Sequence, residues 1–135
     1  GGLPAVQWLP PPPRGKITKR GDTRMFVRVY TGEDGESHFE EITVPMGPVG
    51  NSPIQAATGI TFYNGQPEDF HDWHNAPRRQ YVITLSGQVE FTIGDGTVKC
   101  LGPGDVLLAE DLTGRGHITR VVGTEPRISV AIPLA

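Results

Sequence analysis

Patterned residues in this chain never run far before a turn interrupts them. Met25–Tyr30 stops at Thr31-Gly32-Glu33-Asp34-Gly35, Gln88–Ile93 at Gly94-Asp95-Gly96, and Val98–Leu101 at Gly102-Pro103-Gly104-Asp105. Glycine and Asp-Gly pairs supply the backbone conformations that tight hairpins require. A chain punctuated at intervals of roughly 8–12 residues is poorly suited to helices, and no window of about ten residues carries the 3.6-residue apolar period. The 18 glycines and 13 prolines among 135 residues, with only 36% hydrophobic residues, agree with many short strands and frequent turns. That length makes one domain with a core of its own. The pattern predicts an all-β fold of nine to ten short strands with negligible helix, closed as a sandwich or barrel.

Taken in order, residues 1–22 carry Leu9-Pro10-Pro11-Pro12-Pro13 and few patterned apolar positions. Four consecutive prolines favour polyproline II and forbid a central strand. Residues 1–22 are therefore expected to be an extended arm, with Trp8 and Leu9 as anchors should it lie over a second subunit, and 23–135 to be the barrel domain. Strands are expected over 25–30, 37–44 (with a bulge near Glu40-Glu41), 56–63, 88–93, 98–101, 106–109, 117–122 and 127–132. Between them, Gly65–Gly87 holds His71, His74 and Gln80 and ends in a strand from Gln80 to Ser86.

Several function classes fail on simple grounds. A net charge of −3 with no Lys/Arg block argues against a nucleic-acid surface. No apolar run approaches the ~20 residues of a membrane span. Cys100 is alone, so the chain has neither an internal disulfide nor a Cys-x-x-Cys zinc site, and a reducing, cytoplasmic setting is expected. The start at Gly1-Gly2, without methionine, has the character of a processed or cloned terminus and is compatible with a removed leader. No glycine-rich phosphate loop opens a helix, and no serine sits in a nucleophile elbow.

Gln80, followed by Tyr-Val-Ile-Thr-Leu-Ser and Gly87, and Gly102-Pro103-Gly104-Asp105 leading to Gly114-Arg115-Gly116-His117, resemble the two motifs of the cupin superfamily. The resemblance covers about residues 55–133 and implies a jelly-roll barrel, or double-stranded β-helix. It departs from the family pattern in places. The first motif histidine falls on His74, but the second falls on Ala76; His71 is extra; Glu110 lies near the family's proline position; and Val121 stands where asparagine is common. A standard three-histidine metal site is therefore not present.

The resemblance also bears on which way the strands face. Alternation puts Gln80, Val82, Thr84 and Ser86 on one side and Tyr81, Ile83 and Leu85 on the other. Apolar bulk alone would turn the second set inward, whereas the resemblance implies that the glutamine side lines the cavity. His74 and Gln80 can both enter it if Asn75-Ala76-Pro77 bends. His71 and His74 can both enter only if the chain bulges at Asp72-Trp73.

The expected site follows. His74, Gln80 and His117 hold a divalent transition metal (zinc, manganese, iron or nickel) through imidazole nitrogen and amide oxygen. His71 or Glu110 moves a proton, and Arg78, Trp73 and Tyr63 contact a small-molecule substrate. A metal-free set of Glu110, Asp111, His71 and His117 could perform acid–base work instead. Arg115 in its Gly-Arg-Gly loop is either a substrate contact or a surface charge. The expected activity is isomerase-, lyase- or cyclase-like chemistry on a carbonyl or carboxylate compound. Two histidines and one carboxylate, the set that suits O₂ chemistry, assemble only by recruiting Glu110. The competing expectation is a metal-free barrel that binds or senses a ligand without catalysis. A homodimer is expected, with no nucleic acid and no membrane as partner.

Overall fold

The computed structural model describes residues 25–44 and 47–135. The proline-rich segment 1–22 lies outside the described residues, and with it the expected arm. The described residues form ten strands and no helix: β1 (Phe26–Thr31), β2 (Ser37–Glu41), β3 (Thr61–Gly65), β4 (Phe70–His74), β5 (Gln80–Ser86), β6 (Gln88–Thr92), β7 (Val98–Leu101), β8 (Val106–Glu110), β9 (His117–Val122) and β10 (Arg127–Pro133). Among them no helix is long and apolar enough to cross a membrane.

Two sheets face one another. The larger runs β2-β1-β8-β5-β10-β3 and the smaller β4-β9-β6-β7. Every pairing is antiparallel except β1 with β8. The pleat sends alternate residues into the space between the sheets. Val27 and Val29 of β1, Leu107 and Ala109 of β8, and Val89 and Phe91 of β6 meet there with Leu101, Ile93 and Ala76. Each large apolar side chain buried in this way contributes about 1.5–3 kcal/mol. The outward residues of β1 are Phe26, which packs edge-on against Tyr81, with Arg28 and Tyr30, and the Arg28 guanidinium lies 4.1 Å from the centre of the Tyr30 ring.

Three expectations needed adjustment. β2 ends at Glu41 rather than Val44, and its pairing with β1 runs unbroken from Thr31↔Ser37 to Val27↔Glu41, without the expected bulge. β3 begins at Thr61, because upstream of it the backbone touches its neighbours only through isolated bonds, such as Thr58 N–H to the Pro133 carbonyl. β4 is a full strand within a stretch expected mainly to turn. The inward face of β5 is the glutamine side, as the family resemblance implies: Gln80 and Thr84 are buried while Leu85 is 49% exposed.

Two loops fix the barrel ends. At one, Asp105 accepts hydrogen bonds from the Met25 and Gly102 amides, both at 2.8 Å, which ties the start of β1 to the Gly-Pro-Gly-Asp turn. At the other, the loop 111–116 is stitched to the residues after β4. The Ala76 N–H donates to the Asp111 carbonyl, and the Asn75 side-chain amide donates to the carbonyls of Thr113 and Gly114. Gly116 has φ near +80° and passes directly under His74, where an added Cβ would lie 1.9 Å from the His74 carbonyl oxygen. Left-handed backbone and a backbone clash both penalise a side chain here. Gly116→Ala is expected to cost about 2–4 kcal/mol of folding free energy, read from the midpoint of a urea unfolding curve at unchanged slope.

Candidate functional site

The bend after β4 carries the chain from the small sheet to the large one, so the last residue of β4 and the first of β5 face the same interior. His74 and Gln80 therefore both line a cavity of about 250 Å³ between the sheets, together with His117 from β9. His74 and His117 pair across the β4–β9 ladder, with ring centres 4.6 Å apart. Each imidazole has one nitrogen taken. His117 Nδ1–H donates to Asp111 Oδ2 at 2.6 Å, and His74 Nδ1–H donates to the Asp72 carbonyl at 2.7 Å. The acceptors set the tautomer, which leaves Nε2 of both rings with its lone pair free. Asp111 is fully buried and also accepts the Ser37 hydroxyl at 2.7 Å. Burial is the main cause that lowers the His74 pKa below its ordinary value, and the neighbouring His117 and His71 add to it.

His71 reaches the same cavity through the bulge that its spacing requires. The β4–β9 register shifts between His71 and His74, so His71 faces Thr119 while His74 faces His117. The extra residue lets two side chains three positions apart share a face. His71 sits at the exposed mouth, and the Tyr63 hydroxyl lies 3.4 Å from its Nε2. Desolvation, helped by the nearby Asp69 charge, raises the Tyr63 pKa, so the phenol stays protonated at neutral pH.

Three expected residues stand elsewhere. Glu110, expected to move protons, is absent from the cavity lining and is held on the outer wall by Arg28 (2.6 Å) and Arg79. Burial alone would raise its pKa, but hydrogen bonds from the two arginines outweigh that and lower it, so the carboxylate stays ionised. Trp73 is the residue pushed outward by the bulge; its ring lies 4.3 Å beneath the Arg115 guanidinium, facing away from the cavity. Arg78 is exposed and does not line the cavity. Arg115 pairs with Glu36 as a surface charge.

Asp111, expected only as a member of the metal-free acid–base set, and Arg127, not expected at the site, both take part in it. Asp111, rather than Glu110, is the carboxylate engaged by a cavity histidine. Arg127 also lines the cavity. It is 4% exposed, its Nε and Nη2 donate to Thr84 Oγ1 at 3.3 and 3.2 Å, and its guanidinium carbon lies 5.8 Å from the Phe91 ring centre. Desolvation lowers its pKa to about 10. The alternation of β10 announces this placement, because Arg127, Ser129 and Ala131 share the face opposite Ile128, Val130 and Ile132.

The donor set can be tested against a divalent ion. With metal–nitrogen bonds of about 2.0–2.1 Å, two imidazoles on one ion at right to tetrahedral angles have ring centres roughly 4.5–5.2 Å apart. The 4.6 Å between His74 and His117 fits. The amide oxygen of Gln80 is buried with no hydrogen-bond partner among the described residues. Among those residues no three His, Cys, Asp or Glu side chains converge on one ion position, so an ion here would have two imidazoles and an amide from the protein. These residues fit a weakly held ion completed by water or ligand.

Burial of His74 has a consequence for pH. Its folded pKa lies below the unfolded value near 6.5, so the unfolded chain takes up a proton first as pH falls. Its contribution to stability is present above pH 6.5 and is lost as pH drops through the folded pKa. Glu110 acts in a lower window, below about 4.5. Unfolding of chelator-treated protein is expected to show a fall in stability from pH 7 to pH 5 that is smaller in His74→Asn.

No protein-family model matches this sequence, and no curated protein matches it. Several solved structures are similar, two of them as follows. One is an uncharacterised conserved protein with a double-stranded β-helix domain from Klebsiella pneumoniae, 24% identical, with 64% of this chain and 80% of that chain covered and a TM-score of 0.45. The other is an RmlC-like cupin protein from Desulfovibrio desulfuricans, 18% identical, with 83% of this chain and 84% of that chain covered and a TM-score of 0.43. Neither likeness bears on the site. The ten strands in two facing sheets form a jelly-roll barrel, the double-stranded β-helix that the two sequence motifs imply through their resemblance.

Proposed function

We propose that this protein is a small-molecule enzyme whose reaction takes place in the cavity between the two sheets. The observation that carries the reading is the pair His74–His117. The two rings are 4.6 Å apart and both present Nε2 while their Nδ1 atoms are engaged by Asp72 and Asp111. His74, His117 and the unpartnered Gln80 amide oxygen are the residues that would hold a divalent ion. An ion bound there would supply Lewis-acid polarisation of a substrate oxygen.

The remaining roles fall to side chains of the cavity mouth and wall. Asp111 fixes the His117 tautomer and ring orientation through the buried Nδ1–H bond. His71 is exposed, within reach of the Tyr63 hydroxyl, and is suited to accept a proton at the mouth while the phenol donates a hydrogen bond. Proton transfer beside a polarised carbonyl is the common element of isomerase, lyase and cyclase reactions, and these are the classes proposed. The second reading is a metal-free barrel that binds a ligand without chemistry. It is favoured by Ala76, a buried core residue at the position where a third imidazole would serve.

Cobalt(II) titration of chelator-stripped protein separates the two readings. One equivalent should bind with visible bands of low-coordinate cobalt, and His74→Ala and His117→Ala should each abolish them. Asp111→Asn should weaken affinity about 10–100-fold. Unchanged cobalt binding in both alanine variants would remove the proposed ion site.

A homodimer is part of the proposal. β3 is the outer strand of the larger sheet, and Phe62 on it and Ile60 just before it are 67% and 63% exposed. An apolar sheet edge suits pairing with a second copy. Light scattering should report a dimer, shifted to monomer by Phe62→Glu.

A further inference from the structure

We infer that the cavity binds a molecule carrying a carboxylate, and that Arg127 is the group that receives it. This rests on the reading that the cavity is the substrate site, and it adds the charge and orientation of what enters. A guanidinium has five N–H donors. Thr84 Oγ1 accepts from two of the Arg127 nitrogens, and among the described residues no carboxylate lies within ion-pair distance of it. Each of Arg28, Arg79, Arg115 and Arg120, all on the outer surface, has an acidic partner. Arg127, the most deeply buried arginine among the described residues, has none; the other without an ion pair, Arg78, is exposed to water. Removing a cation from water is costly unless an anion meets it, and here the open side of the group is the cavity.

The surroundings select the anion. One fixed positive charge against an apolar wall of Phe91, Val82 and Ala131 matches one negative charge. The planar fork of donors matches a carboxylate in two-point contact. A phosphate dianion would bring a second charge, and among the described residues that line the cavity there is no second arginine or lysine to meet it. The Phe91 ring touches both ends of the site, with the Arg127 guanidinium 5.8 Å from its centre and the His117 ring 5.7 Å from it. A ligand anchored at Arg127 and lying along that ring places a group a few carbons away from its carboxylate beside the imidazoles. The substrate class is therefore a carboxylic acid with its reacting oxygen removed from the acid group, rather than a neutral alcohol or sugar.

The test uses 4-oxopentanoate and its methyl ester, with inorganic phosphate and sodium chloride at equal ionic strength, followed by thermal shift and calorimetry. All arms are run in chelator and again with cobalt, so that loss of the ion site and loss of the anion site are separate results. The oxo-acid should raise Tm in both conditions, with the ester and phosphate at least tenfold weaker. Arg127→Met should remove the difference between acid and ester. In the wild-type protein, modification of Arg127 by phenylglyoxal, followed by mass spectrometry, should be slowed by the acid and not by the ester. This keeps the test intact should the variant misfold. Equal response to acid and ester, preference for phosphate, no response beyond chloride, or unprotected Arg127 would each overturn the inference.

Discussion

The buried carboxylate of Asp111 is the contact on which the geometry of the cavity depends. One of its oxygens accepts both the Ser37 hydroxyl of β2 and the Nδ1–H of His117 on β9, while its backbone carbonyl accepts the Ala76 N–H beyond β4. A single residue thus joins the large sheet, the small sheet and the connection between them. Taking a carboxylate fully out of water costs several kcal/mol. The hydrogen bonds it receives repay part of this, and they also dictate which nitrogen His117 turns toward the cavity. Removal of the carboxylate would leave a barrel able to close, with a histidine no longer committed to one tautomer.

The cavity wall reverses the usual sorting of residues in two strands. On β5 the inward set is Gln80, Val82 and Thr84, and on β10 it is Arg127, Ser129 and Ala131. The bulkier aliphatic residues of both strands turn to the other face. The two strands pair directly, with Thr84 opposite Ser129, so the polar lining is a continuous patch. Elsewhere the barrel follows the ordinary rule, with Val27, Val29, Val89 and Leu107 filled inward. A barrel that forgoes apolar burial along one patch has lost stability there, and such losses concentrate at sites of function.

This reversal explains which parts of the molecule could be read from residues alone. Hairpins announced themselves: Gly94-Asp95-Gly96 and Gly102-Pro-Gly-Asp105 bracket β7 within the expected limits. The inward glutamine was legible only through the family resemblance, since apolar bulk pointed the other way. Arg127 could have been found by applying the same inversion to the last strand. Glu110 and Asp111 illustrate the opposite limit. They are adjacent, so the pleat sends them to opposite sides, and one residue of register decides which carboxylate meets a histidine and which meets two arginines. That register comes from loop 111–116 and its Asn75 stitching, which local pattern does not encode. The early strands end short of their β-forming residues because backbone bonding, rather than β-propensity, sets where a ladder stops.

The bulge in β4 carries one more implication. It sets His71 and His74 inside and Trp73 outside, under the Arg115 side chain. Deleting one residue at Asp72 would restore a regular pleat in which His71 and His74, now two positions apart, still face the chamber and Trp73 between them still faces out. A single codon lost there would leave both imidazoles in the wall and the rest of the shell intact. The wall of the chamber therefore tolerates a strand shortened by one residue at that point.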